Sequence, residues 1–295
     1  MRAAPVLLLL VGCGLGGGDS GGATNLPISG AGPYAKITDP NRTTDLEEPY
    51  VVIDPEADIT DPAPAELADG TIRIFYTRAG SEIWRADLPG SLTEPAGPPT
   101  LVLAGATAPA VIVDGATVIL FYQTADGVAR ATSVDGGASF APDRLVVAGA
   151  QQPGATRAAG RFYLYYTRPD APGIAVATSD DGLDFSEAAA PALMPRPGGF
   201  DAASVGEPGA VGAITAAGEL HIGLFYAGAS AKGVTAIGYA GSTDGLEFSA
   251  LTAPVLDPGE PSEHGPAALV HPTRALLFFA QNRAGKSAIG LATSP

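Results

Sequence analysis

Five times along this chain an apolar run closes on two adjacent aromatic residues. The runs cover 72–76, 118–122, 162–166, 220–226 and 275–279, and their ends at Tyr76, Tyr122, Tyr166, Tyr226 and Phe279 recur every 44 to 60 residues. A turn signal, often Asp-Gly or a lone Gly, precedes each run and limits it to the length of a strand. Repetition at this period constrains the fold more than any single motif, because one such unit cannot bury its apolar face alone and must stack on its neighbours. Twelve of the twenty aromatic residues fall in these runs, so most of the aromatic supply is packing material.

A second strand follows four of the runs and closes on a similar tail: Ala131-Thr132-Ser133-Val134-Asp135-Gly136, Ala177-Thr178-Ser179-Asp180-Asp181-Gly182, Ala240-Gly241-Ser242-Thr243-Asp244-Gly245 and Ala292-Thr293-Ser294. The first three tails continue to Phe140, Phe185 and Phe248 and resemble the Ser-x-Asp-Gly-x-x-Phe turns of glycan-active propellers. Serine and aspartate can bond the local backbone, glycine supplies positive φ, and the phenylalanine is expected to plug the hairpin into its own blade. A third apolar stretch ends most repeats, at Leu101-Val102-Leu103, Leu145-Val146-Val147, Leu193-Met194 and Val255-Leu256. The fifth repeat has none, but Tyr50-Val51-Val52-Ile53 near the start can supply it and close the ring. The fold class expected is therefore all-β: a five-bladed β-propeller of four-stranded blades over 46–295, closed by an N-terminal strand. The 39 glycines and 27 prolines agree with this and exclude a helical bundle.

The N-terminus has a separate purpose. Arg2 precedes an apolar run from Val6 to Val11 that is far too short to span a bilayer, and the run ends in Leu10-Val11-Gly12-Cys13, which resembles the lipobox of bacterial lipoproteins. Residues 1–13 are thus expected to be a lipoprotein signal peptide, with Cys13, the only cysteine, as the site of lipidation. Residues 14–45 are glycine-rich and are expected to form a flexible tether. Together they lead to the expectation of a protein in the cell envelope, on the periplasmic or cell-surface side, anchored to a membrane through lipid. A formal charge of −15 would repel phosphate backbones, which argues against nucleic acid as a partner. Three histidines and one cysteine argue against a zinc cluster, and Gly12-Cys13-Gly14-Leu15-Gly16-Gly17 lacks the strand and helix that a dinucleotide loop requires.

Just before each aromatic run lies the strand that should line the central channel, with a proline near its start: Pro62 or Pro64, Pro109, Pro153, Pro208 and Pro266. The residues beside these prolines approach the axis, namely Asp61, Ala108, Gln152, Glu207, and His264 with Gly265. In blade 1 the repeat spacing suits Pro64 better and would put Ala63 where Asp61 is placed. Phe200 and Asp201 lie in the longest connection between repeats and are candidates for sugar contact.

At these residues the sequence resembles, over about 46–295, the five-bladed glycosidase superfamily of arabinanases, xylosidases and invertases, the clan of glycoside hydrolase family 43. The resemblance implies Asp61 as general base, Glu207 as general acid, and His264 as a residue that helps hold a central ion or water. Gln152 stands where that family has a charged aspartate. Two carboxyl groups, one protonated and one ionised, are the minimum for inverting hydrolysis. The implied partner is carbohydrate, no cofactor is required, the axis could hold a structural calcium ion or a water, and a monomer is expected. Two readings stand: a glycoside hydrolase, or a propeller that binds glycans or proteins without catalysis. Convergence of Asp61 and Glu207 on one pocket separates them.

Overall fold

The computed structural model describes residues 31–37, 50–52, 56–89, 92, 96–215, 217–256, 263–271, 274–283 and 286–294, and contains no helix among them. Residues 1–30, with Cys13, lie outside the described residues. Two short strands, β1 (Ala35–Lys36) and β2 (Tyr50–Val52), come first. Blade 1 is β3 (Ile59–Glu66), β4 (Ile72–Arg78), β5 (Glu82–Leu88) and β6 (Thr100–Ala104); blade 2 is β7 (Thr107–Asp114), β8 (Thr117–Thr124), β9 (Gly127–Ser133) and β10 (Ala141–Ala148). Blade 3 is β11 (Gln151–Ala158), β12 (Arg161–Arg168), β13 (Ala171–Ser179) and β14 (Ser186–Glu187); blade 4 is β15 (Ser204–Ile214), β16 (Leu220–Ala229), β17 (Thr235–Ser242) and β18 (Ser249–Ala250). Blade 5 contains β19 (Glu263–His271), β20 (Arg274–Arg283) and β21 (Lys286–Ser294), and its outer edge is taken by both β1 and β2, which pair with β21. All five sheets are antiparallel, and each expected aromatic run lies within the second strand of its blade.

The aromatic pair follows from strand geometry. Consecutive residues of a strand point to opposite faces, so two adjacent aromatics serve both neighbours of a blade. Phe75 packs in the seam between blades 1 and 2, while Tyr76 packs in the seam between blades 5 and 1. The same division holds for Phe121 and Tyr122, Tyr165 and Tyr166, Phe225 and Tyr226, and Phe278 and Phe279. Five seams, each with its own apolar core, make a closed ring.

Three expectations are corrected. The box phenylalanines plug into the preceding blade, not their own: Phe140 packs edge-on against Phe75, Phe185 against Phe121 and Phe248 against Tyr165. The Ser and Asp of each box do bond as expected, with the serine Oγ donating to the aspartate and the aspartate accepting backbone amides. The outer strands of blades 3 and 4 are only two residues long, and the stretches at Leu193 and Val255 attach beyond them by single pairings, Leu193 with Ile174 and Val255 with Ile237. Finally, the tether expected over 14–45 is interrupted within the described residues 31–37. Tyr34 is buried against Phe225, Ala35–Lys36 pairs with Ala292 and Thr293, and Lys36 forms an ion pair with the fully buried Glu263, so residues 31–37 belong to the ring.

Candidate active site at the axial mouth

Every inner strand breaks its ladder at the same place. Residues 61–62, 108–109, 152–153, 207–208 and 265–266 each oppose one residue of the neighbouring strand, the second aromatic of the pair. These are β-bulges, and each consists of one residue followed by proline. The leading residues have φ of 52° (Asp61), 46° (Ala108), 50° (Gln152), 49° (Glu207) and 59° (Gly265). Left-handed backbone is uncommon for non-glycine residues, and a following proline normally favours extended conformations. Four such residues in one ring mark the place where the fold holds strain, a feature that clusters at functional sites. The bulge also settles blade 1: Asp61 is the axial residue, and Ala63 pairs with Phe75 in the sheet.

The five bulges line a narrow axial cavity of about 70 Å³, made of the four-residue units that begin at Asp61, Ala108, Gln152, Glu207 and Gly265. The inner strands approach so closely that side chains are excluded at two points. A Cβ on Gly154 would lie 2.0 Å from the Pro208 carbonyl oxygen, and one on Gly209 would lie 2.1 Å from that of Pro266.

Asp61 and Glu207 come from blades 1 and 4 and meet on either side of Gly265. Oε2 of Glu207 accepts the Gly265 amide at 2.6 Å, and the Gly265 Cβ position lies 3.3 Å from the backbone of Asp61. His264 Nδ1 is 3.5 Å from the same Oε2, and Gln152 Nε2 donates to Oε1 at 3.4 Å. Thr60 Oγ1 donates to Asp61 at 2.8 Å. The sequence-predicted Asp61, Gln152, Glu207 and His264 are therefore brought together. Phe200 and Asp201 are not. Asp201 is fully buried and accepts from Arg196 and the Tyr226 hydroxyl, while Phe200 stacks on the Tyr226 ring, so both are bracing residues of the connection between blades 3 and 4.

The electrostatics separate the two carboxyls. Burial, and then the charge of Glu207, raise Asp61 above its ordinary pKa. Burial also pushes Glu207 upward, but its hydrogen bond to His264, the charge of His264 and the Gly265 amide outweigh this and leave it below its ordinary value. Burial lowers His264, and its bond to Glu207 and the two carboxylate charges outweigh that to raise it. These shifts favour the protonated form at Asp61 and the charged forms at His264 and Glu207, each relative to the ordinary group. This is the reverse of the proton placement that the resemblance implies.

Sequence reasoning missed the residues that orient the site. Thr77 accepts the Ala108 amide at 2.7 Å, Gln123 accepts the Gln152 amide at 2.9 Å, and Thr167 donates to the Gln152 side chain at 3.0 Å. Each directly follows the second aromatic of its run, a repeat position at which the signal could have been found. In blade 4 that position is Ala227, which has no polar group, and the Glu207 side chain itself takes the Gly265 amide.

A calcium ion does not fit this donor set. It seeks six to eight oxygens, but among the described residues no three His, Cys, Asp or Glu side chains form a metal-binding group, and the Glu207 oxygens are already engaged.

A second cavity, of about 570 Å³, opens from the mouth between blades 3 and 4; it shares Gln152 and Glu207 with the axial cavity and is also lined by His264. No family model and no curated protein sequence matches this chain. Solved structures do match it over most of its length. A glycosyl hydrolase from Bacteroides ovatus is 15% identical, with 92% of this chain and 93% of that chain covered at a TM-score of 0.64. The two share a five-bladed propeller fold. The endo-arabinase from Bacteroides thetaiotaomicron VPI-5482 gives a TM-score of 0.62 at 12% identity over 84% of this chain and 97% of that one. A β-1,2-mannobiose phosphorylase from Listeria innocua, in complex with β-1,2-mannobiose, gives 0.57 at 16% identity over 82% of both chains. The propeller fold is thus shared with these proteins at 12 to 16% identity.

Proposed function

We propose that this propeller binds carbohydrate at the axial mouth and hydrolyses glycosidic bonds with Asp61 and Glu207, by inversion. The observation that carries the proposal is the convergence of the two carboxyls beside Gly265 with their pKa values pushed in opposite directions, the pattern by which acid and base are told apart in carboxylate pairs. The roles follow the opposite directions of the two shifts. Asp61 donates to the leaving oxygen, while Glu207 receives a proton from the water that attacks the anomeric carbon. Inversion further requires that the two carboxyls stand far enough apart to admit the attacking water. A water, rather than calcium, is proposed at the axis. The same reading places the protein as a monomer on the extracytoplasmic side, held by lipid at Cys13.

A second reading, binding without catalysis, is favoured by Gln152, which supplies no charge beside Glu207, and by the engagement of Glu207 with His264. A hydrolysis screen on arabinan, xylan, fructan and aryl glycosides decides between them. Turnover that falls at least a hundredfold in Glu207→Gln, while sugar binding persists, supports hydrolysis. Binding without turnover in the unaltered protein supports the second reading, and neither binding nor turnover removes both.

A further inference from the structure

The cleft between blades 3 and 4 is built differently from the mouth it joins. Its volume of about 570 Å³ falls within the roughly 300–1,000 Å³ of small-molecule sites, whereas the axial cavity has room for little more than a few waters. One wall is the start of β13, with Ala171 and Pro172 exposed, and the other is the start of β15, with Ala203 and Ser204 exposed. Pro195 and Ala203 flank the brace in which Asp201 accepts from Arg196 Nε at 2.8 Å and from the Tyr226 hydroxyl at 2.9 Å. That buried brace fixes the outer wall in advance, which reduces the ordering a ligand must impose.

Its charges are already committed. Arg168, the only Arg or Lys in the lining, bonds Glu187 at 2.7 Å and the Ala148 carbonyl at 3.0 Å, and lies over the Tyr166 ring. His264 faces Glu207, which is the anion at the inner end. A carboxylated sugar would therefore meet Glu207 with no uncommitted cation to offset it, whereas neutral hydroxyls find Gln152, Thr167 and Ser204 along the path.

We infer that this cleft is the subsite for the remainder of an uncharged oligosaccharide whose reacting ring sits at the axial mouth. The inference rests on the carbohydrate reading of the mouth. Titration calorimetry with the full chain tests it, using neutral trisaccharides (arabinotriose, xylotriose, mannotriose), their monosaccharides, and trigalacturonate. A neutral trisaccharide is expected to bind at least tenfold more tightly than its monosaccharide and than trigalacturonate. Ala171→Trp and Ala203→Trp, which obstruct the cleft from opposite walls at exposed positions, should each abolish the trisaccharide advantage and leave monosaccharide binding unchanged. Undiminished trisaccharide affinity in both correctly folded variants overturns the subsite while the axial reading stands. Equal affinity for trigalacturonate overturns the preference for uncharged sugar, and no binding of any sugar overturns subsite and mouth together.

Discussion

The ring of Tyr34 stands edge-on to that of Phe225, with centroids 6.0 Å apart and planes at 77°. Box phenylalanines meet the preceding blade in the same way, Phe140 on Phe75 at 79°, Phe185 on Phe121 at 87° and Phe248 on Tyr165 at 89°. Tyr34, just before β1, thus meets blade 4 from blade 5 in the way the box phenylalanines of blades 2 to 4 meet the blades before them.

Tyr34→Ala should therefore cost about 3 kcal/mol of stability, in the range for deleting a buried aromatic side chain. Tyr34→Phe should be neutral or slightly stabilising, since the Tyr34 hydroxyl is buried without a hydrogen-bond partner. Deletion of residues 1–40, which also removes Lys36 from Glu263, should destabilise more than Tyr34→Ala. Chemical denaturation of the three variants measures all of this, and an unchanged midpoint for Tyr34→Ala would show that the contact closes nothing.

The acid and base assignments are separable by leaving group. Asp61→Asn should retain much of its turnover on aryl glycosides whose leaving group needs no proton, while losing at least a hundredfold on arabinan or xylan. Glu207→Gln should be slow on both. The opposite pattern would restore the roles implied by the family resemblance.

Stability should depend on pH through the pair at the mouth. The depressed Glu207 contributes above its ordinary value of 4.5 and loses that contribution as pH falls through its folded value. The raised His264 contributes fully below 6.5 and loses its contribution as pH rises through its folded value. Asp61, raised above 3.8, acts in the same direction as His264 at lower pH. The pair is worth most between 4.5 and 6.5, so Tm should fall on the alkaline side, and His264→Gln should flatten that fall. Parallel Tm curves from about pH 6 to about pH 9 would rule the pair out as a source of stability.

Gln152→Asp would set a second carboxylate beside Glu207 and raise its pKa by like-charge repulsion. With Glu207 as base, the acidic limb of the pH–rate profile should move to higher pH. An unmoved limb would mean that Glu207 does not titrate in the rate-limiting step.

The anchor is tested by fractionation. Cys13→Ala should move the protein from the membrane to the soluble fraction, and continued membrane partition would place the attachment elsewhere.

The repeat made the blades legible because strand alternation forces the aromatic pair, and that pair is visible in one dimension. What it could not show is which blade a side chain reaches. Phe140 contacts Phe75 across a seam, and no local pattern distinguishes that from a contact within blade 2. The axial residues were legible from the prolines, but only the bulge distinguishes Asp61 from Ala63, since both precede a proline. Phe200 and Asp201 were misplaced for a related reason: an exposed-looking loop sequence conceals an aspartate that Arg196 and Tyr226 hold inside. Tyr34 sits beside a glycine-rich stretch, and composition gave no hint that it inserts between blades.

The five left-handed corners have one further consequence. Their backbone is set by the bulge and the proline, and the chain already shows that aspartate, alanine, glutamine, glutamate and glycine can all occupy it. Chemistry at the mouth is thus uncoupled from the architecture beneath it. Positions 61, 108, 152 and 207 behave as interchangeable sockets, while 265 is closed to a side chain by the Asp61 backbone 3.3 Å from its Cβ position; the alanine at 108 is a blank socket, where a new acid, base or ligand group could be installed without rebuilding a blade.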